Sequence, residues 1–449
     1  MLQSFSTRAI LSYVLLVFFI FFSSAAVYPS SAPLPDPPPL TIILVLDQFR
    51  HDYLTRYHGH FLPKITSNGN IGGFRYIMEH GAVFTNTRYN HIPTHTAAGH
   101  AVIASGAPPY QSGIIGNKWY NRKDSREEYC VMDPDYKNIS SADEIKSQGT
   151  SPRNLRSSTI SDELKLATGG RAKVISISIK DRSAVIMGGH KPDISLWFSA
   201  KNGTWTSSRY YFPDGRLPLW IEEANKKIPI NKYLGKKWEL HLPIHQYIHS
   251  RKESVTSLPR YPSLDKKVPD QSVHESIVSS PFGNELLIDL AIEAIKQEKL
   301  GQDSIPDYLS ISLSSTDIIG HLFGSSSIEM EDLAIRTDRT LSRLFNFIKH
   351  NIQGGIANIL IVLTSDHGTM DLPEVLSKYG LNAGRAKKSE LKKNVSQELS
   401  KYFGKGEWVL SFHDPNLYLN YSLLNEKNIP LEKAEQLAAI AALKTAGVA

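Results

Sequence analysis

The chain has 449 residues, 41% of them hydrophobic, a formal net charge of +6 and one cysteine. That length can bury a large core, and no internal repeat suggests a solenoid. The single cysteine, Cys130, excludes an intramolecular disulfide, and the absence of a Lys/Arg run interleaved with aromatics argues against a nucleic-acid partner. Arg8 precedes an apolar run from Ile10 to Phe22, and Ser23-Ser24-Ala25-Ala26 follows. This is the plan of a secretory signal peptide cut after Ala26, too short for a comfortable membrane span. The expected product is periplasmic or secreted, with no stable span and a Pro/Ser-rich leader over residues 27–39.

Leu40 to Leu46 reads as a strand buried on both faces, and it ends at Asp47. The same pattern recurs three times. Val174 to Ile179 ends at Lys180, Tyr308 to Leu313 leads through Ser314-Ser315-Thr316 to Asp317, and Ile359 to Leu363 leads to Asp366-His367. Four apolar strands ending in charged or metal-binding side chains match the rule that ligands sit beyond the carboxyl ends of open α/β sheets. Between them, Ala97 to Ser105 reads as a short helix with Thr96 at its N-cap, where free N–H groups surround a hydroxyl. Asn284 to Leu300 and Glu329 to His350 place apolar residues at helical spacing, a pattern of core packing. Alternating strands and helices predict a doubly wound α/β sandwich. Residues 199–281, rich in Tyr, Trp, Pro and Lys, break the pattern and read as an inserted cap over the site.

Asp47, Asp366, His367 and Thr96 offer oxygen and nitrogen ligands of the kind zinc accepts. Asp317 and His321 are four apart, so a helical turn would put both on one face. Coordination of the Thr96 hydroxyl to a divalent metal would favour its alkoxide and make a nucleophile without a histidine base. Asn117 could donate to a phosphoryl oxygen, and Lys180 and Arg182 would add a point charge and a planar fork suited to phosphate.

On these residues the sequence resembles the alkaline phosphatase superfamily, and within it the phosphate-irrepressible, single-threonine alkaline phosphatases. The motifs are Thr96-Ala97-Ala98-Gly99-His100, Gly113 to Tyr120, Lys180-Asp181-Arg182, Ser315 to His321 and Thr364 to Gly368, within a resemblance spanning Leu40 to Tyr421. The resemblance implies an alkaline-phosphatase-like sandwich, two zinc ions and a phosphothreonine at Thr96. Thr96, Asn117, Lys180 and Arg182 would be catalytic, and Asp47, Thr96, Asp317, His321, Asp366 and His367 would hold metal. It also implies a last zinc-binding histidine in a Gly/Ser-rich segment near the C-terminus. The chain reaches Ala449 in an alanine-rich helix, Leu431 to Lys444, before any such segment, and His413 reads as structural. The Asp317/His321 metal is therefore expected to be one ligand short and the 40–449 catalytic domain to be C-terminally incomplete. The leading expectation is a monomeric phosphomonoesterase acting on small phosphate esters. The rivals are a phosphodiesterase or nucleotide pyrophosphatase of the same superfamily, and a pseudoenzyme that binds phosphate or metal without turnover. A sulfatase is disfavoured, because Cys130-Val131-Met132-Asp133-Pro134 is not a C/S-x-P-x-R context.

Overall fold

The computed structural model describes residues 36–140, 149–227, 230–233, 236–249, 271–413 and 415–447. The expected signal peptide, most of the leader and residues 250–270 of the expected cap lie outside them. The architecture that follows lies within one compact unit that begins at Pro38.

In chain order the strands are β1 (Leu40–Leu46), β2 (Lys118–Asn121), β3 (Arg126–Tyr129), β4 (Asn138–Ile139), β5 (Val174–Ser178), β6 (Ile194–Ser199), β7 (Thr204–Ser208), β8 (Asp307–Leu313), β9 (Leu360–Thr364), β10 (Val409–His413) and β11 (Asn416–Leu419). Seven form one sheet in the order β4-β7-β6-β5-β8-β1-β9. The four strands singled out in the sequence are neighbours there: β5, β8, β1 and β9 run parallel, with Leu40 opposite Asp307 and Thr41 opposite Leu360. Because they are parallel, their carboxyl ends open on the same side. That is what brings residues distant in sequence to one place.

Alternation along β1 shows how the layers form. Leu40, Ile42, Leu44 and Leu46 pack with the helices Pro281–Gln297 and Ile328–Asn351 on one face. Ile43 and Val45 pack on the other face against Ala97, Ala101, Ala104 and Val185, from the helices Thr96–Ser105 and Asp181–Gly188. Helices on both faces of a mostly parallel sheet are the doubly wound sandwich expected. The stretch beginning at residue 199 is not wholly outside the sheet: β7 pairs antiparallel with β6. Farther on, Trp238 and Tyr247 bury themselves against the helix Ile328–Asn351.

One strand departs from expectation. β9 was expected to be buried on both faces like β1, yet Leu360 is 47% and Val362 38% exposed. Among the described residues it pairs only with β1, at the sheet's edge. An apolar run cannot distinguish an interior strand from an edge strand. Beyond the sheet, Val395, Leu399, Trp408, Leu419, Ala434 and Ala438 form a separate small core. It joins the helices Lys388–Phe403 and Leu431–Leu443 to the β10–β11 hairpin.

Candidate active site

Thr96 stands at the carboxyl side of the sheet on the helix Thr96–Ser105. It was expected at the N-cap. The extended residue before the helix is His95, and Thr96 is the first helical residue, with no side-chain cap. The hydroxyl is thus spared a capping hydrogen bond. The helix ends as anticipated, at Gly106 in the left-handed conformation (φ 66°). Gly99 shows why the motif has a glycine there. A Cβ on it would lie 2.1 Å from the Asp366 carbonyl oxygen, so the helix and the Asp366 loop meet backbone to backbone.

Lys180 follows β5, and its ammonium sits between two carboxylates, 2.6 Å from Asp47 Oδ2 and 2.6 Å from Asp317 Oδ2. It is 3.4 Å from Thr96 Oγ1. Asp47 follows β1 and is completely buried. Burial and the Asp366 carboxylate push its carboxyl up to about 7, against the pull of Lys180. Asp317 and His321 share a face of the helix Ser315–Phe323, with His321 Nε2 3.2 Å from Asp317 Oδ1. Burial works to raise Asp317, but His321 and Lys180 outweigh it and hold the carboxyl well below the usual range.

Asp366 is also fully buried. Burial raises its carboxyl, but His100, His367 and Lys180 prevail and leave it at about 2. Its Oδ1 accepts from the backbone N–H of Gln48 (3.0 Å) and of His367 (2.9 Å). Its Oδ2 has no hydrogen-bond donor, and neither has Asp47 Oδ1. Both face His367 Nε2 at 3.5 Å. Among the described residues, Asp47, Asp317 and His367 can each offer one atom to a point where the three lie within 4.8 Å of one another. Buried carboxylate oxygens without donors are costly unless a cation balances them. This donor set therefore fits a divalent metal ion.

Asn117 lies just ahead of β2, and its Oδ1 accepts the Ala97 N–H at 2.9 Å. That fixes the amide orientation and leaves Nδ2 to donate beside Thr96. Arg182 is the second residue of the helix Asp181–Gly188. It does not pair through its guanidinium with Asp181: Asp181 Oδ1 takes the Tyr129 hydroxyl (2.6 Å) and the Arg182 N–H (2.7 Å). Arg182 Nη1 rests 3.4 Å from the Tyr129 oxygen, and its Nε has no hydrogen-bond partner. His413, expected to be structural, ends β10 and lies 3.5 Å from Glu127 of β3.

Two residues were given no role from the sequence. His100 is fully buried, with Nδ1 2.7 Å from the Thr96 carbonyl oxygen and 3.3 Å from Asp366 Oδ2, and Nε2 2.9 Å from Ser312 Oγ. Its i+4 spacing from Thr96 was the available signal. Gln48 joins two of the three metal-side carboxylates, Asp366 and Asp317, and nothing in the pattern around it announced that.

The model of a family described as type I phosphodiesterase / nucleotide pyrophosphatase matches residues 41–384. The chain is 34% identical over 424 residues to a Myroides odoratus protein named calcium-transporting ATPase, covering 92% of this chain and 74% of that one. It is 37% identical to alkaline phosphatase PhoV of Synechococcus elongatus over 76% of this chain and 60% of that one. It is 32% identical to alkaline phosphatase PafA of Elizabethkingia meningoseptica over 88% and 71%. The crystal structure of wild-type PafA superposes with a TM-score of 0.81 at 31% identity, over 91% of this chain and 77% of that one. A solved PafA mutant with substitutions at a threonine, an asparagine, a lysine and an arginine superposes with a TM-score of 0.80, at 30% identity and the same coverage.

Proposed function

The chain belongs to the type I phosphodiesterase / nucleotide pyrophosphatase family within the alkaline phosphatase superfamily, and from that membership we propose an exported, metal-dependent alkaline phosphatase that works through a phosphothreonine at Thr96. The single observation behind this reading is the convergence on Thr96. Its hydroxyl stands 3.4 Å from the Lys180 ammonium, which itself bridges Asp47 and Asp317. Asp47, Thr96, Asp366 and His367 would hold one zinc ion, and Asp317 and His321 the other. Bound there, the metal would supply Lewis acidity and balance the negative charge of the phosphoryl group.

The chain's own residues would do the rest. Thr96 Oγ1 bonds to phosphorus as the bond from phosphorus to the ester oxygen breaks, and the alcohol leaves with a proton. Water then cleaves the phosphothreonine, which returns the hydroxyl and releases phosphate. Asn117 Nδ2 donates to a phosphoryl oxygen, held in place by the Ala97 N–H on its other end. Lys180 and Arg182 add positive charge where a monoester dianion carries more negative charge than a diester. The four residue types altered in the PafA mutant are those of Thr96, Asn117, Lys180 and Arg182, which supports the assignment.

The test compares substrates. Lys180→Ala combined with Arg182→Ala is expected to lower monoester turnover by about 10²–10³, with a much smaller loss on a diester. Equal losses on both, or a wild-type preference for the diester, would overturn the monoester reading and favour a phosphodiesterase. No helix among the described residues is long and apolar enough to cross a membrane.

A further inference from the structure

Gln48 immediately follows Asp47, is almost completely buried and adopts φ 64°, the left-handed region that side chains other than glycine's rarely occupy. A backbone outlier at a candidate site calls for a physical reason. The turn it makes directs two groups. The backbone N–H donates to Asp366 Oδ1 at 3.0 Å, and the side-chain Nε2 donates to Asp317 Oδ1 at 2.8 Å. The same Nε2 lies 3.2 Å from His321 Nε2. The carboxylate of Asp317 can only accept, which fixes the amide with nitrogen toward the ligands and oxygen away.

A second observation is independent of the first. Gly320 lies in the Asp317–His321 helical turn, and a Cβ placed on it would come within 2.0 Å of Gln48 Oε1. A helix interior normally disfavours glycine, yet this one leaves the space that the amide fills. One residue thus ties Asp366 to Asp317 and His321, three side chains carried by two different segments.

We propose that Gln48 is a positioning residue for the Asp317/His321 cation site, holding the carboxylate and the imidazole in a shared orientation that the glutamine amide and the absent side chain at position 320 together define. This rests on the metal-dependent reading above. Partners that orient metal ligands typically change affinity by about 10–100-fold when removed.

The test titrates zinc into the chelator-stripped chain against a competing chromophoric chelator and measures thermal stability of the metal-free form in parallel. Gln48→Gly removes the amide and relieves the left-handed backbone. Gly320→Ala improves helix propensity and pushes the amide aside. Both metal-free variants are expected to melt no lower than wild type while the weaker zinc site loses about tenfold to a hundredfold in affinity. Gln48→Asn, whose amide is one carbon short of the ligands, is expected to lose affinity likewise. Wild-type affinity at both sites in Gln48→Gly and Gly320→Ala would overturn the proposal and leave the metal reading standing. Failure of the wild-type chain to take up zinc would overturn both.

Discussion

At the scale of single residues, the position of Thr96 depends on how closely backbone elements approach around it. Gly99→Ala would drive a methyl group into the Asp366 carbonyl. The expected result is a loss of about 1–3 kcal/mol of stability in urea denaturation. Monoester turnover should fall with it, because the helix holding Thr96 must move away from Asp366. Full activity with unchanged stability would show that the helix and loop are not held against each other. The residues that terminate strands were legible in the sequence, because an apolar run ending at Asp47, Lys180, Asp317 or Asp366 is a local signal. Of His100 only the i+4 spacing from Thr96 was, and Gln48 was not. The role of each is set by partners far away in sequence, Ser312 for the one and Asp317 for the other, and no periodicity reports such a pairing.

At the scale of elements, the helix Ile328–Asn351 does more than supply an apolar face. Its buried carboxylates bind loops: Glu331 accepts from the N–H groups of Ile248 and His249 at 3.0 Å each, and Asp338 from those of Leu62 and Phe74 at 2.8 and 2.7 Å. Asp332 accepts from Trp238 Nε1 at 2.6 Å, the His241 N–H at 2.7 Å and Arg336 Nε at 2.8 Å, and also takes the Tyr247 hydroxyl. Asp332→Ala leaves those donors unpaired, so a loss of about 2–4 kcal/mol is expected. Limited proteolysis should then cut residues 238–249 before the rest of the chain unfolds, whereas cleavage no faster than wild type would refute the tether. The helical stripe was visible from sequence, but acids at positions 331, 332 and 338 look like solvated residues until the loops over them are placed.

A second element-scale prediction concerns the capping box of the helix Ile160–Ala167, where Asp162 also meets His190 Nδ1 at 2.8 Å. The hydrogen bond that His190 Nδ1 donates to Asp162 raises His190 against the effect of burial. Burial works to raise Asp162, but the His190 and Thr159 hydrogen bonds outweigh it and lower the carboxyl. A raised imidazole contributes stability that is complete below its ordinary 6.5 and lost as pH climbs through the folded value. A lowered carboxyl contributes above its ordinary 3.8 and is lost as pH falls through the folded value. The pair therefore contributes most between those two ordinary values. His190→Gln should destabilise the protein most in that window and least near pH 9, as read from denaturation midpoints. A difference from wild type that grows toward pH 9 would contradict the pairing.

At the scale of the whole molecule, the alternation of apolar strands and amphipathic helices made the sandwich legible, since one-face helices and doubly buried strands have few other ways to pack. The exposure of β9 was not legible, because its position at the edge depends on what flanks it and not on its own composition. The sheet's geometry places three carboxylates, Asp47, Asp317 and Asp366, beyond adjacent parallel strands. A cation that binds only the folded chain must then stabilise it, by about 2.7 kcal/mol at a hundredfold excess over its dissociation constant. Chelator should lower the melting temperature and zinc restore it; indifference to both would count against a metal centre. Turnover through that centre would pass through a phosphate ester on Thr96. Acid-quenching the zinc-loaded chain during monoester turnover, followed by peptide mass spectrometry, should find phosphate on the peptide containing Thr96 and none in Thr96→Ala, which should also lose hydrolysis. Turnover retained in Thr96→Ala, with no phosphopeptide in the wild type, would contradict the account.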